Sequence, residues 1–293
     1  MLAQQLVNGL VLGATYSLFA IGFTLIFGVL GVINLAYGFY FSVGAFSALW
    51  LTRVLDWSIW AALPAGMAAA GIVAVVVDTI LLTRLRQQKA PELSSLMVTI
   101  GGTLFLYSGM AAIYGTDIRR FPPAVFDSQA YAIGDARITG AQILIVVACF
   151  LLVGLLLLLL RGTKFGMAIR AVAENADTAA LMGVNGTLVT MAVSFLSGAI
   201  GGAAGILIGL NFNAIQPYMG EHMMLRGFAV IIIGGLGDLR GALVAGLVLG
   251  MVEVLAAGFL SSSLKDAIAF ALLVATLWVR PVGLFGRAAA TRA

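Results

Sequence analysis

Residues 6–30 read LVNGLVLGATYSLFAIGFTLIFGVL, an unbroken run without a single Asp, Glu, Lys or Arg. A helix rises 1.5 Å per residue, so ~20 apolar residues cross the ~30 Å hydrocarbon core of a bilayer. This run is long enough to do so. Working outward, further apolar stretches follow at Ile33–Leu51, Ile59–Leu82, Leu93–Tyr114, Ala141–Leu160 and Leu188–Leu210. Then come a short Phe228–Gly237, Ala242–Gly258 and Ala267–Val279. None settles into the period-two alternation of a membrane β-barrel. The fold class is therefore all-α: a polytopic helical membrane protein, with residues 1–293 forming one transmembrane domain. Phe228–Gly237 is too short to cross unaided, so eight or nine transmembrane segments are allowed.

Composition agrees. Of 293 residues, 62% are hydrophobic and 10% charged, where soluble domains run at about 45–50% and about 25%. Mean hydropathy is +1.10, so apolar surface must face something other than water. A soluble enzyme, a nucleic-acid binder and a disordered scaffold are excluded. The single cysteine, Cys149, cannot form an internal disulfide. No basic residue precedes the first apolar run, which argues against a cleaved secretory signal.

Basic loop residues set the expected orientation. With nine crossings, Arg84, Arg86, Lys89, Arg161, Lys164, Arg170, Arg240, Arg280, Arg287 and Arg292 share one face. Arg53, Arg119, Arg120, Arg137, Arg226 and Lys265 share the other, ten against six. The richer face is expected in the cytoplasm, with the N-terminus outside and the C-terminus inside.

Two glycine-rich segments sit in corresponding places of the two halves: Gly28 to Gly38, and Gly234-Gly235-Leu236-Gly237-Asp238-Leu239-Arg240-Gly241. Paired interruptions of this kind suggest discontinuous helices and an internal repeat. The plainer reading is two loops between adjacent helices. Gly201, Gly205 and Gly209 lie four apart, with Gly198 and Gly202 alongside. Such a stripe lets a helix approach a neighbour closely in lipid.

Catalytic chemistry is sparse. His222 is the only histidine, no lysine follows a glycine, and no nucleophile-elbow spacing occurs. A multi-histidine metal site and a phosphate-binding Gly-Lys-Ser/Thr loop are thus absent, and no metal or cofactor is expected on this chain. Polar groups inside spans carry more information, because each must be paired or line a cavity. Glu253 is either a substrate or proton site or a carboxyl that fixes helix packing. Asp78 is expected to pair with Arg84 or Arg86, and Asn8 to act as a packing amide. Asn34 lies in the first break; Asn211, Asn213, Gln216 and Tyr218 cluster at an outer helix end. The candidates for a translocation path are Asn34, Tyr37, Asn211, Asn213, Tyr218, Gly235, Gly237 and Glu253.

The loop 161–186 is distinctive. Met167–Met182 is alanine-rich and helix-prone, with Met167, Ala171, Ala179 and Met182 at helical spacing and Gly183 where a helix ends. Alanine anchors poorly in lipid, so an amphipathic helix docking in a groove of a soluble partner fits better.

Three blocks carry a family resemblance: Gly31 to Gly38; Gly166 through Arg170-Ala171, Glu174 and Asn175 to Gly183-Val184-Asn185; and Gly234-Gly235-Leu236-Gly237 through Gly250 and Glu253 to Gly283-Leu284-Phe285-Gly286. In this order the chain resembles the inner-membrane permeases of branched-chain amino-acid ABC importers, the LivH-type family. The resemblance implies a homologous second permease, two cytoplasmic ATP-binding subunits and a periplasmic substrate-binding protein, with ATP bound by the partner subunits. It implies that Arg170, Ala171, Glu174, Asn175, Ala179 and Gly183 belong to a coupling helix seated in an ATPase groove. Related permeases import urea or short amides. Thr83-Arg84-Leu85-Arg86, Asp238-Leu239-Arg240 and Glu221-His222 depart from the family pattern. Two other readings of the residues stand beside it: a secondary transporter coupling protons through Glu253 or Asp266, and a passive channel.

Overall fold

The computed structural model describes residues 2–88, 90–122, 130–133, 136–259 and 265–286. The helices are α1 (Leu2–Leu30), α2 (Tyr37–Val54), α3 (Ile59–Leu81), a short α4 (Thr83–Gln87) and α5 (Glu92–Tyr114). After these comes an antiparallel hairpin, β1 (Ala130–Ile133) and β2 (Ala136–Thr139), pairing Ala130 with Thr139. Then follow α6 (Gly140–Gly162), α7 (Lys164–Glu174), α8 (Ala176–Leu181), α9 (Gly186–Phe212), α10 (Met219–Gly234), α11 (Leu239–Phe259) and α12 (Lys265–Val279). Among the described residues, six helices are long and apolar enough to cross a membrane: α1, α3, α5, α6, α9 and α11. The all-α membrane fold stands, with the hairpin as an unexpected addition. Lys89, Arg287 and Arg292 of the charge count lie outside the described residues.

Several boundaries move, among them the start of α2 from Ile33 to Tyr37, and two of the shifts are informative. The α1 helix starts at Leu2 and takes in Gln4 and Gln5, whose amides are used: Gln4 Nε2 donates to the Arg137 carbonyl at 3.1 Å, and its Oε1 accepts from Arg137 N at 2.8 Å. The short segment at Phe228 is the second half of α10, which begins nine residues earlier and carries Glu221, His222 and Arg226 inside the helix. Charge hides its first half in the sequence; Glu221 and His222 are exposed, and Arg226 faces Glu253, so the helix accommodates all three.

The α1 helix is the axis of the bundle. Its most apolar window is 89% buried, against 17% for α5, and it packs on α11, α9, α6 and α10. Small residues make this possible. A Cβ at Gly13 would lie 2.9 Å from the Leu247 backbone, and Gly250 abuts Gly13 directly. Between them Ser17 Oγ donates to the carbonyls of Gly13 (2.8 Å) and Leu243 (2.7 Å), so the polar atom in this seam is satisfied. The expected glycine stripe behaves as read, within the chain: Gly205 meets the Phe41 carbonyl, Gly202 meets Gly44, and Gly198 meets Ala70 and Ala74. Thus α9 clasps α2 and α3. Lipid gives apolar helices little reason to associate, so close backbone approach supplies the contact area instead.

Both glycine-rich segments are turns joining one helix to the next. Gly31 (φ +64°) ends α1, and Gly235 (φ +106°) and Gly237 (φ +85°) separate α10 from α11. Asn34 stabilises the first turn, its Oδ1 accepting from Ala36 N at 3.0 Å. Asp238 opens α11 in the same way, accepting from Arg240 N (2.8 Å) and Gly241 N (2.9 Å).

Candidate functional site

The expected single helix over Met167–Met182 is two helices, broken at Asn175. The reason is local. Asn175 adopts an extended backbone (φ −159°, ψ 107°), its N–H closes α7 on the Ala171 carbonyl at 3.0 Å, and its Oδ1 caps α8 by accepting from Thr178 N at 2.9 Å. Asx side chains compete with the helix in this manner. The same device frames the whole segment. Thr163 Oγ1 accepts from Gly166 N at 3.0 Å to start α7, and Asn185 Oδ1 accepts from Leu188 N at 3.1 Å to start α9. Gly183, at φ +85°, ends α8 as expected.

The buried face also differs from the expected register. Ile169, Val172 and Ala179 are buried against the bundle, and Gly166 sits on the carbonyls of Leu159 and Leu160. Met167, Ala171 and Met182, expected on one apolar face with Ala179, are exposed instead. β-branched Ile169 and Val172 offer more apolar area than alanine, so they take the inner side. Arg170, Ala171, Glu174, Asn175 and Gly183 all face outward, and only Ala179 of the expected coupling residues is buried. Leu181 and Met182 are 87% and 82% exposed at the tip.

Glu253 lies on α11, 2% exposed. Tyr16 on α1 donates to its Oε2 at 2.7 Å, and Arg226 on α10 places Nη2 3.6 Å from its Oε1. The Arg226 guanidinium also stands 5.9 Å from the centre of the Tyr16 ring. Three helices thus meet at one carboxyl. Sequence reasoning missed Tyr16, and it placed Arg226 in an outer loop. The usable signal was Glu253 itself, since an acid deep in a span needs a donor or a cation. The expected pairing of Asp78 is present with Arg86. Asn8 packs as expected, accepting from Gln142 Nε2 of α6 at 3.1 Å.

The remaining path candidates fall in three places. Asn34 and Tyr37 are buried inside the chain, where Tyr37 donates to the Phe19 carbonyl at 3.0 Å and its ring stacks on Phe23. Gly235 and Gly237 lie at the end of the bundle that also holds Gly28 and the C-terminal turn; Leu284 N and Phe285 N donate to the carbonyls of Ile233 (2.8 Å) and Gly234 (3.0 Å). Asn211 lines a cavity of about 390 Å³ at the opposite end with Gln5, Asn8, Gln142 and Lys265. Nearby, Asn213 takes the left-handed conformation (φ +45°) and accepts from Phe121 N at 2.9 Å, and Tyr218 packs on Tyr107. No single described cavity collects all eight.

Among the described residues no group of three His, Cys, Asp or Glu side chains is placed to hold a metal ion; the arrangement is a helical body with an exposed helical foot. The sequence model of the family described as "Branched-chain amino acid transport system / permease component" matches residues 5–277. The chain belongs to this permease family. The high-affinity branched-chain amino acid transport system permease protein LivH of Salmonella typhimurium is 33% identical, covering 97% of this chain and 95% of its own length. The corresponding protein BraD of Pseudomonas aeruginosa is 30% identical over the same shares of both chains. A probable branched-chain amino acid transport permease protein LivH from Methanocaldococcus jannaschii is 29% identical over 92% of this chain and 88% of its own. No solved structure matches. The sequence blocks of the permease now have places. The first is the α1–α2 turn and the second is the capped α7–α8 foot. The third is the α10–α11 turn clasped by Gly283 to Gly286.

Proposed function

We propose that this permease is the membrane subunit of an ATP-driven importer for branched-chain or other amino acids in a bacterial inner membrane. It forms the path with a homologous second permease, two cytoplasmic ATP-binding subunits drive it, and a periplasmic binding protein delivers cargo. The observation that carries the proposal is the α7–α8 foot. It is built rigidly by three polar caps, yet it leaves Met167, Leu181 and Met182 uncovered beside Arg170 and Glu174. An apolar tip ringed by charge suits a groove on a soluble protein, and the named relatives transport branched-chain amino acids.

In this proposal the chain crosses nine times, as α1, α2, α3, α5, α6, α9, α10, α11 and α12, with the N-terminus outside and the C-terminus in the cytoplasm. The contacts support it. Gln4 holds Arg137, and Arg53 donates to the Arg120 carbonyl at 2.7 Å, whereas Arg161, Arg170 and Arg240 gather at the other end. With Arg226 inside α10, the outer count falls from six to five (6 − 1 = 5), and the basic bias toward the cytoplasm steepens. An internal repeat is part of the same proposal, supported by a glycine turn between adjacent helices in each half.

The test is Glu174→Arg in the assembled importer. Its charge points outward, so the fold and melting temperature should be unchanged while ATP-driven uptake is lost and the ATPases dissociate. Undiminished uptake would overturn the coupling role. Uptake by the permease alone on a proton gradient would replace this proposal with a secondary transporter.

A further inference from the structure

At the end of the bundle that carries the foot, α1, α6, α7 and the α10–α11 turn enclose a cavity of about 380 Å³. Its lining holds Arg161 from α6, Arg170 from α7 and Arg240 from α11. These guanidiniums have no hydrogen-bond or ion-pair partner among the described residues. The only acid lining it among the described residues, Asp238, is occupied in capping α11. Apolar side chains line it too: Leu25, Val29, Leu157 and Leu160. A second, independent observation comes from Thr24, which lines the same cavity and is 1% exposed. Its Oγ1 has no hydrogen-bond partner. Other helix threonines of this chain, Thr52, Thr79, Thr103 and Thr276, turn back to the carbonyl four residues earlier. Thr24 does not, so a donor is left unused in a buried place where polar groups are normally satisfied.

We propose that this cavity binds the headgroup of an anionic phospholipid. The phosphate meets the three arginines, the Thr24 hydroxyl donates to a headgroup oxygen, and an acyl chain lies along Leu25, Val29 and Leu157. Basic cavities between helix ends at a membrane surface suit such lipids, and guanidiniums bind phosphate oxygens in a matched fork. Nucleotide or free phosphate would use the arginines but leave the apolar lining unfilled. The bound lipid would tie α7 to the α10–α11 turn, and so stiffen the base of the foot.

The test uses the purified full-length permease without any ATPase, so its failure leaves the coupling proposal untouched. The protein is placed in nanodiscs containing phosphatidylcholine with an equal fraction of phosphatidylglycerol, and retained lipid is read by native mass spectrometry. Wild type should retain phosphatidylglycerol preferentially. The Arg161→Gln/Arg240→Gln double variant should lose that preference by a factor on the order of thirty, with melting in pure phosphatidylcholine unchanged. Thr24→Val, a buried isosteric change, should weaken it severalfold and decides the matter if the double variant does not assemble. Equal retention of both lipids by wild type, or undiminished selectivity in Thr24→Val, overturns the proposal. So does displacement of the lipid by millimolar inorganic phosphate, which would mark a free-anion site instead.

Discussion

Glu253 offers the sharpest measurement, because its two partners differ in strength. The Tyr16 hydroxyl at 2.7 Å is a direct hydrogen bond, whereas Arg226 at 3.6 Å is within ion-pair range but beyond good hydrogen-bond distance. Glu253→Gln keeps an oxygen for Tyr16 and gives up charge attraction to a guanidinium that is 30% exposed, so part of that attraction is already screened. The expected loss is about 1 kcal/mol. Tyr16→Phe removes the short bond and leaves a buried carboxyl with its weaker partner, which costs about 1.5–3 kcal/mol. Glu253→Leu removes the tyrosine's acceptor and the arginine's counter-charge together, and costs about 3–5 kcal/mol. Melting in one detergent, followed by tryptophan fluorescence, should therefore rank the variants Gln, Phe, Leu in increasing damage. Uptake by the reconstituted importer should survive Glu253→Gln. A packing role is refuted if Glu253→Gln stops uptake while melting like wild type; that result would place Glu253 in the path. Equal melting of all three variants would refute the geometry itself.

Two further outcomes follow from the packing. Gly205→Ala would drive a Cβ into the Phe41 carbonyl, and backbone cannot yield as a side chain can, so the purified variant should melt well below wild type. Gly109→Ala, where a Cβ meets nothing within 4 Å, should be neutral in the same assay. Asn175→Ala removes the cap of α8 at a cost of about 1 kcal/mol, so hydrogen exchange should quicken over residues 176–181 and slow ATP-driven uptake should accompany it. Unchanged exchange there would show that packing of Ala179 alone holds α8.

The membrane class was legible from the charge-free run at residues 6–30, because hydrocarbon thickness converts directly into residue count. The foot was legible in position but not in detail. Alanine content argued for one helix, yet helix propensity differences of a few tenths of a kcal/mol per residue yield to a capping asparagine. Its inner face was misjudged because alanine and methionine spacing was weighed above Ile169 and Val172, which bury more apolar area. The start of α10 was hidden for a related reason. Glu221, His222 and Arg226 read as loop residues until the fold brings Arg226 to an acid twenty-seven positions away in sequence (253 − 226 = 27). Pairing across helices leaves no periodic trace along the chain, so neither Tyr16 nor Arg226 announces itself.

Glycine decides which helices move together. Where Gly13 meets Gly250 and Ser17 meets Gly246, α1 and α11 touch backbone to backbone. Where Gly202 meets Gly44, α9 and α2 do the same. Such seams have no side chains to rearrange, so relative sliding would forfeit contact without offering a new one, and each pair moves as a unit. The foot leans on these units: α7 packs on α6, on α9 and on α1. By contrast α5 touches its neighbours sparsely, through rings such as Tyr107 on Phe39, and presents Leu104, Phe105 and Ile113 outward. In the proposed importer, a push on the foot is therefore carried along α1 and α9 as rigid rods rather than absorbed by bending. The compliant surfaces are those between the rods and whatever faces them. In the proposed importer, the opening and closing of a path then falls at the contact with the second permease, since Asn34, Tyr37, Asn213 and Glu253 already have hydrogen-bond partners within this chain.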